Sequence, residues 1–277
     1  MSLALVGPAA PPSVHVMTFN VRRRMNGVTW PPADRWSIRR PRLEALLRDE
    51  RPTVLGAQEV LPDQAKAIRD ALGDSYRVVG HGRHPGPRGE GCPVFYDDAR
   101  LELVDWRQAA LSDRPDEAGS TSWGNVIPRV FVQAGFRDRM TSKTFTVINT
   151  HLDVFSARAR QRAAEELHAV ISAQPSSAIL LGDLNAGPTS APWTTLVSHG
   201  VLRDAWSEAD VRLSPEWGTF AGYRRPRPGR RIDAILVSPG VQVRRAAIDA
   251  RPIDGGWPSD HLPVQALVTI AASKGAK

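Results

Sequence analysis

The 277-residue sequence is poor in cysteine, in lysine and in long apolar runs. Cys92 stands alone, which excludes an intramolecular disulfide, a zinc knuckle and an iron–sulfur arrangement, so any chemistry must use other side chains. No run of about 18 apolar residues occurs, so no segment is expected to span a membrane. Lysine occurs only at 66, 143, 274 and 277, so arginine supplies nearly all of the positive charge behind a net +7. An arginine-heavy, proline- and glycine-rich composition also fits the coding bias of a GC-rich genome, so the excess alone does not argue for nucleic acid. Met1–Pro12 has no basic stretch followed by a long apolar one, so no secretory signal is expected and a cytoplasmic location is the default.

Hydrophobic residues make up 42% of the chain, enough for a sizeable core, and the length suits one large domain better than two average ones. The expected organisation is a disordered lead over 1–13, a single domain over 14–270 and a flexible tail over 271–277. Alternation and helical spacing predict strands at Val14–Phe19, Thr53–Ala57, Tyr76–Val79, Pro93–Tyr96, Leu101–Asp105, Arg129–Ala134, Lys143–Thr150, Ala178–Leu181, Arg231–Ser238, Val241–Ala247 and Val264–Ile270. Helices are predicted at Arg35–Glu50, with Ile38, Leu43, Leu46 and Leu47 inward, and at Pro62–Leu72, Ala157–Ala173 and Ala191–Ser198. His81–Gly91 and Ser112–Trp123 read as loops. Strands in both halves with few helices between them indicate an α/β domain with two packed sheets.

Polar residues recur where apolar strands end. Asn20, Glu59, His151 with Asp153, and Asp183 with Asn185 follow strands; Asp233 starts one, and Asp260-His261 precedes the last. Taken singly, each has a bland reading as a turn former, a helix cap or a satisfied buried histidine. Together they form an inventory of carboxylates, amides and two histidines, whose oxygen ligands suit Mg²⁺ or Mn²⁺ better than zinc. The run Arg224, Arg225, Arg227, Arg230 and Arg231 is most cheaply a solvated loop, and Trp217–Phe220 an aromatic packing element.

Eight motifs in order carry a resemblance: Thr18-Phe19-Asn20, Gln58-Glu59, Gly89-Glu90-Gly91, Thr150-His151-Leu152-Asp153, Gly182-Asp183-Leu184-Asn185, Trp217-Gly218-Thr219-Phe220, Arg231-Ile232-Asp233 and Ser259-Asp260-His261. On these the chain resembles the endonuclease/exonuclease/phosphatase superfamily, which includes deoxyribonuclease I, exonuclease III, neutral sphingomyelinases and inositol-polyphosphate 5-phosphatases. The resemblance implies a four-layer α/β/β/α sandwich of two mostly antiparallel sheets flanked by helices. It implies Glu59, Asn20 and Asp260 as the divalent-metal site, with Mg²⁺ or alternatively Mn²⁺ as cofactor. Asp183 and Asn185 are implied to orient the nucleophile and the scissile phosphate. His151 donates to a phosphoryl oxygen, His261 is the general base or a phosphate ligand, and Asp233 orients that histidine. Candidate substrate contacts are Glu90, Arg160, Trp217, Phe220, Arg22 and Arg230.

The implied reaction is metal-assisted hydrolysis of a phosphoester by in-line attack of water, with no covalent intermediate. His151 stands where abasic-site repair enzymes of the superfamily carry tyrosine, a departure from their pattern. The expected partner is a phosphate-ester substrate: a small molecule first, then DNA or RNA, then a lipid as in sphingomyelinases. A catalytically inactive phosphate binder is the contrasting class, and the full residue set argues against it. No stable membrane insertion is expected.

Overall fold

A computed structural model describes residues 4–25, 29–86 and 88–271. The first half runs β1 (Ser13–Asn20), α1 (Trp36–Glu50), β2 (Val54–Gln58), α2 (Pro62–Leu72), β3 (Tyr76–Val79), β4 (Gly82–His84), β5 (Arg88–Gly91), β6 (Val94–Asp97) and β7 (Leu101–Ala110). It continues with β8 (Val130–Asp138), β9 (Thr144–His151), α3 (Ala157–Ser172), β10 (Ser177–Asp183) and α4 (Ala191–Val197). The last part holds β11 (Arg203–Asp204), α5 (Ala205–Glu208), β12 (Val211–Arg212), β13 (Asp233–Val237), β14 (Val241–Ile248) and β15 (Val264–Ile270).

One sheet has the order β12-β14-β15-β1-β2-β6-β3, the other β11-β13-β10-β9-β8-β7. Pairing is antiparallel except for β1–β2, β9–β10 and β12–β14. Strand alternation sorts side chains into layers. Val14 and Val16 of β1 and Val147 of β9 meet between the sheets. Met17 and Phe19 face Leu43, Leu47 and Ile68 of α1 and α2 on one outer side. Ile148 and Leu180 face Ala163, Leu167 and Ile171 of α3 on the other. This is the expected four-layer sandwich.

The differences from expectation are local. β7 and β8 are longer than predicted because they pair along Leu101–Ala110, with one bulge. The His81–Gly91 loop holds the β4–β5 hairpin. The lead is tied down where it is described: the backbone N–H groups of Leu5, Val6 and Gly7 donate to the Glu50 carboxylate. Of the predicted tail, 272–277 lies outside the described residues. Among those residues no helix is long and apolar enough to cross a membrane.

The buried stripe of α1 is Arg39, Leu43, Leu46, Leu47 and Glu50, so Arg39 takes the inward position expected of Ile38. Both charged ends of that stripe are fully buried. Burial would raise the Glu50 pKa, but the N–H donors of Gly7, Leu5 and Val6 and the charge of His15 outweigh it and lower it. A depressed folded pKa stabilises above the ordinary carboxylate range and is lost as pH falls through the lowered value. Glu50→Gln is therefore expected to lower stability at pH 7 and to flatten the acid limb of a stability–pH curve followed by urea denaturation. An unchanged acid limb would refute the assignment.

Two polar side chains clasp the sheets together. Asn149 of β9 donates to the carbonyls of Ala57, Cys92 and Pro93, and its oxygen accepts from Gln58 Nε2 at 2.6 Å. Position 56 is glycine because a Cβ there would lie 2.8 Å from Asn149 Oδ1. The clasp lies one residue behind Glu59 and two behind His151, so it sets how the two sheets present their ends.

Candidate active site

Register aligns the chemistry. In the first sheet Asn20 pairs with Gln58, which leaves Glu59 as the next residue beyond β2. In the second, Asp183 is opposite His151 on one side and opposite Asp233 on the other. One amide bridges the sheets: Asn20 Nδ2 donates to Glu59 Oε1 at 3.1 Å and to Asp183 Oδ2 at 3.0 Å. Asp183 Oδ1 accepts the Asn185 N–H at 2.9 Å, and Asn185 Nδ2 donates to Leu152 O.

His261 is placed from three directions. Its Nδ1 lies 2.9 Å from Asp233 Oδ2, and its Nε2 lies 3.8 Å from Asp183 Oδ2. The Phe220 ring meets the imidazole in a T-shaped contact, centroids 5.1 Å apart and planes inclined by 64°. Thr219, fully buried, accepts the N–H groups of Ile232 and Asp233 on its hydroxyl, while its carbonyl accepts from Leu262. Ser259 Oγ donates to Asn20 O at 2.6 Å, which ties the His261 loop to the end of β1. His151 Nε2 lies 3.5 Å from Asp183 Oδ2. Asp183 thus has both imidazoles and the Asn20 amide around one oxygen.

These groups open on a cleft of about 580 Å³ that Glu59, His151, Asp183, Asn185, Asp260 and His261 line together. Burial lowers the His151 pKa against the charge of Asp183, to about 4, so its imidazole is neutral at pH 7. Burial also lowers that of His261, but the charges of Asp233 and Asp183 and the hydrogen bond to Asp233 outweigh it and push it up to about 10. Burial would raise Glu59, yet the charge of His151, the Arg23 N–H, the Asn20 amide and the charge of His261 bring it down to about 2. Burial and the charge of Asp233 raise Asp183. Cys92 is buried, and burial pushes its thiol up to about 12, so it offers no thiolate near neutrality.

The candidate substrate contacts separate. Arg22 lies 3.8 Å from Asp260 and 3.9 Å from Glu59, with Asp34 at 3.3 Å. Glu90 lines the cleft, but each of its oxygens is held at 2.9 Å by an arginine, Arg23 or Arg83. Arg160 donates to the carbonyls of Asp153 and Val154 and, with Arg230, faces an adjoining cleft. Phe220 borders both clefts, whereas Trp217 lines neither and packs on the inter-sheet core. Sequence reading missed Arg83 and Arg129, both cleft-lining and nearly buried. Arg83 lies on the unforeseen β4–β5 hairpin. Arg129 precedes β8, whose pairing of Phe131 with Thr150 puts it at the His151 end of the sheet.

Two donor sets could take a cation. Oxygen or nitrogen atoms of Asp183, Asp233 and His261 lie within 4.8 Å of one another. There the Asp233 contact already engages His261 Nδ1. The residues implied as the metal site lie beside this cluster: Glu59 and Asp260 line the same cleft as Asp183 and carry the carboxylate oxygens that Mg²⁺ or Mn²⁺ prefers, and Asn20 contacts Glu59 at 3.1 Å. As placed, Asn20 turns its nitrogen to the carboxylates, and its oxygen accepts from the Arg22 N–H.

Two stacked sheets that gather carboxylates, amides and two imidazoles at their strand ends define the deoxyribonuclease I-like class of fold. The chain belongs to the endonuclease/exonuclease/phosphatase family, whose model matches residues 17–261. Its structure is similar to a family member from Bacteroides thetaiotaomicron, with a TM-score of 0.87 and 28% identity over 97% of this chain and 99% of that one. It is also similar to a mannosyl-6-phosphatase of that organism, with a TM-score of 0.85 and 28% identity over 93% of this chain and 100% of the other. In sequence it is 29% identical over 173 residues to protein angel of Drosophila melanogaster, covering 58% of this chain and 47% of that protein. The chain thus spans about half the length of that curated relative.

Proposed function

We propose that this protein is a divalent-metal-dependent phosphoesterase that hydrolyses a small-molecule phosphate ester by direct in-line attack of water. The observation that carries the reading is the setting of Asp183, with His151, His261–Asp233 and Asn20–Glu59 around it in one cleft. Glu59, with Asn20 and Asp260, would hold the Mg²⁺ or Mn²⁺. That ion, when bound, neutralises phosphate charge and makes water a better nucleophile. Asp183 accepts a proton of the attacking water and is itself positioned by the Asn185 N–H. His261, kept cationic by Asp233, donates Nε2–H to a phosphoryl oxygen, the second of the two roles the resemblance implies. Neutral His151 offers a further hydrogen bond to that phosphate as negative charge builds on its oxygens. The phosphorus–oxygen bond to the leaving oxygen breaks as the water oxygen bonds to phosphorus; the departing alkoxide takes a proton from bulk water and Asp183 returns its own to solvent, giving the alcohol and phosphate.

The similarity to a mannosyl-6-phosphatase over nearly the whole of both chains favours a small phosphomonoester. The DNA or RNA reading draws on the arginines that border the cleft. The test is release of p-nitrophenol from p-nitrophenyl phosphate and its bis-ester with Mg²⁺, Mn²⁺ or EDTA, beside plasmid DNA and single-stranded RNA. Hydrolysis is expected to stop with EDTA and return with either metal. EDTA-insensitive turnover would remove the metal from the mechanism.

A further inference from the structure

Next to the catalytic cleft lies a second one of about 590 Å³. The two share Val154, Asn185, Phe220 and Ile232, so they are continuous past one side of the catalytic residues. Their charge differs. In the catalytic cleft four arginines face four carboxylates: Arg22, Arg23, Arg83 and Arg129 against Glu59, Glu90, Asp183 and Asp260. The second cleft has Arg160, Arg224, Arg225, Arg227 and Arg230 on its walls and no carboxylate. Among the described residues, the side chains of Arg224, Arg225, Arg227 and Arg230 have no hydrogen-bond or ion-pair partner.

Four free guanidinium groups on a solvated loop would ordinarily spread apart. Here the backbone holds them to one hollow. Gly218 N donates to Arg227 O and Thr219 N to Arg230 O, which ties the Arg227–Arg230 end of the loop to the segment that positions His261 and Asp233. The Gly218 and Gly229 backbones approach so closely that a Cβ on Gly218 would meet Gly229 Cα at 3.1 Å. At the other end Tyr223 donates its hydroxyl to Asp34 at 2.6 Å. The loop is therefore anchored to both halves of the active site. Its cations form a pre-set anion site, since guanidinium groups suit phosphate oxygens.

We infer that the substrate carries a second phosphate, bound by Arg224, Arg225, Arg227 and Arg230 while the scissile phosphate lies at Asp183 and the two histidines. This deepens the phosphoesterase reading and rests on it. Half-exposed Val154 and exposed Phe220 form the strip between the two anion sites, a surface for the organic part that joins the phosphates. Among the described residues that line the two clefts, the free cations lie on one side. Across the catalytic cleft Arg22, Arg23, Arg83 and Arg129 are paired with Asp34, Glu90, Glu90 and Asp153. A nucleic-acid strand passing through would call for free cations on both sides, whereas a small bisphosphate needs them on one.

The probes are alkanediol bisphosphates of graded chain length, the matching alkyl monophosphates and a single-stranded oligonucleotide, each with Mg²⁺. The wild-type protein is expected to prefer a bisphosphate over its monophosphate by about tenfold or more in kcat/KM, the effect of one added charge-assisted contact set. Arg224→Ser/Arg225→Ser/Arg227→Ser is expected to erase most of that preference, with an unchanged thermal midpoint. Equal kcat/KM for bisphosphate and monophosphate overturns the inference while leaving the phosphoesterase reading intact. So does a triple-variant defect confined to the oligonucleotide. Calorimetric titration of the same ligands reads the second phosphate without turnover, and equal affinities for the two ligand types overturn the inference there too. Hydrolysis of none of the esters, p-nitrophenyl phosphate included, counts instead against the phosphoesterase reading.

Discussion

Asp183→Asn is expected to reduce kcat by about a thousandfold or more, in the range that removal of a general base produces. The substitution replaces the acceptor at Oδ2 with an N–H donor that faces Asn20 Nδ2 at 3.0 Å, and it deletes the charge between the two imidazoles. The folded protein should not suffer in proportion. Burial and the charge of Asp233 raise the Asp183 pKa, so at pH 7 the ionised carboxylate is disfavoured in the folded state relative to the unfolded one. A neutral amide removes that opposition, and a thermal midpoint equal to or above that of the wild type is expected. Activity lost together with a large fall in midpoint would point to a structural rather than a chemical role. Full turnover in the variant would remove Asp183 from the reaction.

Arg39→Met should give the largest loss of stability, about 3–5 kcal/mol, the cost of breaking a buried charged network. Arg39 is fully buried and donates to the carbonyls of Val21, Arg23, Asp34 and Pro258. It thereby holds together the stretch that follows Asn20 and the stretch that precedes Asp260. Methionine fills similar volume but leaves those carbonyls without a donor. Lysine should not rescue the protein, because a single ammonium lacks the fork that spans four acceptors. Urea unfolding with an unchanged m-value measures the effect. A loss below about 1 kcal/mol would show that water replaces the guanidinium at little cost.

Much of the site was legible because strands end in sequence where they end in space. Alternation located the end of β1 at Asn20, of β9 near His151 and of β10 near Asp183, and those residues meet at Asp183: His151 and Asp183 line the cleft, and buried Asn20 donates to Asp183 from behind it. The motif order pointed to the family that the match over 17–261 shows. Arg39 was not legible. On helical spacing it sat beside Ile38, and hydrophobicity assigned the inward place to isoleucine, although four carbonyls waiting in distant loops decide for arginine. Arg83 and Arg129 were missed for a related reason: each reaches the cleft through a hairpin or strand pairing that local pattern does not encode. Trp217 shows the converse, a motif residue that stays partly buried against the core rather than lining the cleft.

Composition and pattern determined what the chain can be: an α/β protein whose lone cysteine forms no intramolecular disulfide and whose strands end in carboxylates, amides and two imidazoles. Tertiary structure decided how those groups are tuned. His151 and His261 are the same residue type at similar burial, yet one is pushed to about 4 and the other to about 10. The main cause at His261 is the 2.9 Å contact with Asp233, a residue 28 positions away in sequence, while Arg129 and Arg83 add to burial in lowering His151. The same holds for the excess of arginine. The sequence counts the charges, and pairing in space decides which are spent on carboxylates and which remain unpaired, because ion pairing depends on distances that a linear chain does not contain.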